Sequence, residues 1–187
     1  RTDVMKPNNI KHLILVVLII CIGLSLRLYN LDADPDIRID GDTGIFTDEG
    51  LYSLSARNLA LFGKFNPNHE SRVLEAVDSP IYTYTEYLSF ILFGVTIKAM
   101  RFPSVIFGML TVIGSYYLIR KIFGPLEGLL ALLFLSINYL FIQFNRLALL
   151  ETLMIFLYLM SLYFYLVKGE TRWGLFLSGI FAGIALI

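Results

Sequence analysis

The sequence predicts an all-α membrane protein: several transmembrane helices, with amphipathic helices lying along the membrane in one large external loop. Three observations predict this. The chain is 57% hydrophobic with a mean hydropathy of +0.71, too apolar for a water-soluble domain. Its apolar runs approach the length needed to cross a bilayer core, and charged residues punctuate them. Backbone groups in hydrocarbon must bond within their own segment, so such runs form helices. Fifteen acidic residues balance fifteen basic ones, which offers no argument for a nucleic-acid partner. The lone Cys21 has no partner for an internal disulfide.

The first span is expected over about 13–29. Lys6 and Lys11 precede it, as in a secretory leader, but Arg27-Leu28-Tyr29 follows where a small-residue cleavage site would stand. It therefore reads as a retained span. Further spans are expected over 102–119, between Arg101 and Arg120; over 128–145, between Glu127 and Arg146; and over 150–167, ending at Lys168. A last one, 173–187, follows Arg172 and is cut off at Ile187, so the chain reads as the N-terminal part of a longer transmembrane domain.

The stretch 30–101 then forms a large external loop holding most of the acids, from Asp32 to Glu86. Its apolar and aromatic content argues for a folded, functional loop. Segment 80–97 could span or lie at the interface. Tyr82, Tyr84, Glu86 and Tyr87 in its first half favour the interface. Lys6, Lys11, Arg120, Lys121, Lys168 and Arg172 then share one side. The positive-inside tendency makes that side cytoplasmic and the loop extracytoplasmic.

Within the loop, "GIFTDEGLYSLSARNLALFGKF" places two adjacent carboxylates at the start of a helix. Thr47 is the expected N-cap, Asp48 and Glu49 fill the first turn, and the helix stops at Gly63. Leu51, Leu54, Leu61 and Phe62 lie near one face; Glu49, Ser53 and Arg57 recur on another. Two roles fit the acids. They can simply complement the helix dipole, a matter of roughly 0.3–1 kcal/mol. Alternatively, one can act as a general base toward an acceptor hydroxyl. Arg101, where the loop re-enters the membrane, and Arg146, one turn before Glu151, lie on the same side. Each can snorkel to the interface, or its planar fork can meet a phosphate. Tyr82 and Tyr84 can line a groove or form an interfacial aromatic belt.

In order and spacing these segments resemble the N-terminal part of the GT-C glycosyltransferases that use polyprenyl-phosphate sugars, with protein O-mannosyltransferases and aminoarabinose transferases nearest. The resemblance rests on "TDEGLYSLSARNLALFG", "DSPIYTY", "RFPSVIFGMLTVIGSYYLIRKIFG" and "FNRLALLETLMIF". It implies a GT-C-like fold and an integral membrane enzyme. That enzyme moves a sugar from a polyprenyl-phosphate donor to an acceptor hydroxyl of a protein, lipid or glycan. Asp48 is the implied base, Glu49 its supporting acid, and Arg101 and Arg146 the implied donor-phosphate ligands. Beside these, Arg57, Asp78, Tyr82, Tyr84 and Glu151 are candidates for a substrate groove. Asp78-Ser79 stands where relatives carry Lys or His before a Pro-Pro element.

No cofactor is expected. Asp40 and Asp42 have the Asp-x-Asp spacing that can hold a divalent cation, but that spacing arises easily in an acid-rich loop. His69 has no second histidine near it. The competing reading is a transporter or assembly subunit with an acidic outer loop. The placement of charges at span ends argues against ion translocation.

Overall fold

The computed structural model describes residues 7–33, 47–65 and 79–186. Among the described residues every regular element is a helix, as an apolar chain in a bilayer requires. Helix α1 (Pro7–Leu28) begins at a proline, whose missing N–H costs nothing in a first turn. Helix α2 (Thr47–Phe62) stops at Gly63, whose φ of 67° only glycine adopts without strain. Helix α3 (Pro80–Phe93) likewise opens on proline and closes on Gly94 at φ 78°. With 14 residues, α3 falls short of a bilayer crossing.

Helix α4 (Ile97–Ile122) is the central rod. It is capped by the Thr96 side chain, which accepts from the Ala99 N–H at 3.2 Å. It begins five residues before the expected span because its first turns are buried in protein. Pro103 lies inside it and leaves the Ala99 carbonyl without its usual helical donor. Ser89 of α3 supplies the replacement, Oγ to the Ala99 oxygen at 2.6 Å.

The expected span 128–145 is not one rod. It is α5 (Pro125–Ile137) and α6 (Tyr139–Asn145), bent by 64° at Asn138, whose side chain accepts from the Phe141 N–H. Helix α7 (Leu150–Lys168) follows. Helix α8 (Arg172–Ile184) is apolar but only 13 residues long. By length and composition Ile10–Leu28, Ile97–Ile122 and Leu150–Lys168 can cross a membrane, and the bent pair makes a fourth. Their outward faces stay apolar: Leu13, Ile14 and Leu18 of α1 are each about half exposed, as lipid-facing side chains would be.

Three clusters hold the bundle together around α4. Val16 and Ile19 of α1 meet Val112, Tyr116 and Leu132 at one end. Ala56 of α2 and Phe90 of α3 pack on Ala99, Met100 and Ala148 at the other. Tyr82 packs with Leu153, Leu157 and Ala185. Tyr116 also bonds both His12 and Arg120, so the start of α1 and the end of α4 share one end of the molecule. The loop elements α2 and α3 sit at the opposite end, around the start of α4.

Candidate active site

Successive side chains of a helix point about 100° apart, so docking α2 on α4 and the 146–149 turn separates the two adjacent acids. Glu49 is 0% exposed, while Asp48 stays exposed. Arg101 of α4, 3% exposed, donates to Glu49 through a two-pronged bond, Nε to Oε1 and Nη2 to Oε2, both at 2.8 Å. The backbone N–H of Ala148 adds a third bond to Oε1 at 2.7 Å. Arg101 Nη1 donates to the Leu31 carbonyl at 2.9 Å. One ion pair thus ties together α2, α4, the strap after α1 and the turn before α7. Burying two charges is favourable only with this degree of mutual satisfaction.

Arg146 is 7% exposed and closes the end of α1. Its Nη1 donates to the carbonyls of Leu26, Arg27 and Tyr29, at 2.9, 3.4 and 2.5 Å, and its Nη2 to that of Asn30 at 2.9 Å. A helix ends with four unpaired carbonyls and a partial negative charge, and a guanidinium meets both needs. Both arginines assigned to a donor phosphate by resemblance are therefore met by protein acceptors, on the side of the molecule that carries Asp48.

One turn after Asp48, Tyr52 is half-buried. Its phenol is held above the ordinary value first by burial, then by the charges of Glu151 and Asp48. Asp48 and Glu151, both exposed, thus share the rim at which Tyr52 sits. Arg57 is exposed. Tyr82 is buried and bonds Ser104 Oγ at 2.9 Å, so it packs inside rather than lining an open groove. Tyr84 is exposed and meets the Phe65 ring edge-on. Asp78, Asp40, Asp42 and His69 lie outside the described residues.

Sequence reasoning assigned no role to three buried polar residues here. Arg27 is 0% exposed and donates to Asn145 Oδ1 at 3.0 Å, to the Gly23 carbonyl at 3.0 Å, and to the carbonyls of Leu135 and Ser136 at 3.1 and 3.3 Å. The last two are carbonyls that the bend at Asn138 deprives of helical donors. Asn145 reaches Arg27 because Gly108 of α4 has no Cβ; one added there would collide with the Asn145 side chain. Glu86, the third, is sealed beneath α2. Signals existed: an arginine inside an apolar run, and a lone Glu among aromatics.

An apolar cleft of about 450 Å³ opens beside this end, lined by Leu28, Leu31, Phe93, Ala99 and Phe102 with Asn30, Thr96 and Lys98. Leu31 connects it to the Glu49–Arg101 pair.

Residues 77–187 match the family model described as dolichyl-phosphate-mannose-protein mannosyltransferase. The chain belongs to this family. It is thus a multi-pass membrane glycosyltransferase of GT-C type, mannosyltransferase-like, and the family implies a lipid-linked sugar donor and an acceptor. The match includes Arg101, Arg146 and Glu151 and begins after the helix that carries Asp48 and Glu49. No curated protein and no solved structure matches the chain.

Proposed function

We propose that this protein forms the N-terminal part of a GT-C transmembrane domain, and that the enzyme transfers a sugar from a polyprenyl phosphate to an acceptor hydroxyl at the extracytoplasmic face, with Asp48 as the general base. The observation that carries this reading is the division of the acid pair. Glu49 is consumed by structure, and Asp48, next to it in the same helical turn, is left exposed. Asp48 takes the proton of the acceptor hydroxyl. The oxygen attacks the anomeric carbon from the face opposite the phosphate, which leaves with the bonding pair and inverts the centre. Phosphate leaves without strong acid assistance.

The bonds of Arg101 and Arg146 support a positioning role for both, in place of the donor-phosphate contact expected of them. Arg101 fixes the helix start that carries Asp48 against the start of α4 and the strap after α1, and Arg146 ties the turn before α7 to the end of α1, which is how orientation contributes to rate. The apolar cleft suits the prenyl chain in size and lining. Lys11, Arg120 and Lys121 lie at the end opposite Asp48, which supports a cytoplasmic N-terminus.

The test is Asp48→Asn in the full-length enzyme, assayed with a radiolabelled polyprenyl-phosphate sugar. The expected loss is about 10²-fold or more, the usual scale of general-base catalysis, with unfolding temperature unchanged. Full transfer by this variant would remove Asp48 from the role.

A further inference from the structure

Two carboxyl groups are buried among α2, α3 and α4, and among the described residues a guanidinium meets only one of them. Arg101 is committed to Glu49 through both prongs. Glu86 is just as sealed, at 0% exposure. Its Oε1 accepts from Ser53 Oγ at 2.7 Å, and its Oε2 has no hydrogen-bond partner among the described residues. A buried carboxylate without a cation is among the most costly groups a protein can hold, and it is relieved by binding a proton.

We propose that Glu86 is a proton-held joint: as a neutral carboxylic acid it fastens α2, the helix that carries Asp48, onto α3, and loss of its proton loosens that contact. The inference goes beyond the transfer reading and stands without it. The groups facing Glu86 are few. From α2 come Ser53 and the Glu49 charge, whose own partner is Arg101 of α4. On its own helix, Tyr82 lies one turn away.

Burial pushes the Glu86 carboxyl up to about 8, and the Glu49 charge adds to the rise; the hydroxyls of Ser53 and Tyr82 pull the other way. The native state therefore holds this proton more tightly than the unfolded chain does. The stability it contributes is fully present below the ordinary value of 4.5 and is lost as pH rises through about 8.

The experiment is a pH series of thermal unfolding on the full-length protein in lipid nanodiscs, with the infrared carboxylic C=O band recorded alongside. Glu86→Gln keeps the shape and the Ser53 bond but has no proton to lose. It should flatten the part of the stability curve that the wild type loses on the way to pH 8, and should delete one carboxylic band. Ser53→Ala removes a bond that favours the charged form, so its fall should end at higher pH than the wild type's. Should Glu86→Gln not fold, Ser53→Ala carries the test through the same band, which must persist to higher pH. Wild-type pH dependence in either variant, or an unchanged carboxylic band in Glu86→Gln, would overturn the joint. Full transfer by Asp48→Asn together with a flattened Glu86→Gln curve would remove Asp48 from the role of base and leave the joint standing.

Discussion

Arg101 and Arg27 are both buried, one on α4 and the other on α1, yet their charges are satisfied by different means. Arg101 meets a carboxylate from a distant helix in a two-pronged pair. Arg27 meets carbonyls, one amide oxygen and the face of Phe141, at 5.6 Å from the ring centre. The first arrangement joins chain segments that are far apart in sequence. The second repairs a break within one span, where α5 ends and α6 begins. A carboxylate is needed where a loop helix must be fastened. Neutral oxygens suffice where the bend itself supplies unpaired acceptors.

This difference predicts different costs of removal. Glu49→Ala leaves the Arg101 charge buried without its carboxylate, so the largest loss of stability is expected there, about 3–5 kcal/mol by the behaviour of broken buried pairs. Unfolding of the purified full-length protein measures it. Replacing both partners, Glu49→Leu with Arg101→Met, should recover most of that loss, because no charge remains to be buried. A double variant as unstable as the single one would mean that the charge itself is not what the site must satisfy.

Arg27→Met should cost less, about 1.5–3 kcal/mol, the scale of hydrogen bonds to a charged group, since it strands only neutral acceptors. A loss equal to that of Glu49→Ala would erase the distinction between the two sites. The smallest effect is expected at the seam between α3 and α4. Ser89→Ala strands the Ala99 carbonyl at a cost of about 1 kcal/mol. Adding Pro103→Ala restores the helical N–H to that carbonyl and should cancel most of the loss. Failure of the pair to compensate would show that Ser89 does not stand in for the proline's missing donor.

Activity sharpens the comparison from another side. Asp48→Asn should cut transfer about 10²-fold or more with stability intact, whereas Glu49→Gln should lower both, because its amide cannot accept both prongs of Arg101. Adjacent residues of the same charge would then separate cleanly into one that acts on substrate and one that holds the frame.

Periodicity and composition alone determined the helical membrane architecture and the start and stop of α2 at Thr47 and Gly63. These are local matters, governed by run length, turn residues and the cost of unbonded backbone in lipid. The tertiary structure decided which member of the Asp48–Glu49 pair faces outward, because that depends on the side from which α4 approaches α2. It also decided that Arg101 and Arg146 are spent on protein oxygens, that 128–145 bends, and that Glu86 lies buried with no cation beside it among the described residues. Each of these depends on partners some 30 to 120 residues away in the chain, and no reading of local pattern can see which acceptor a long side chain will find.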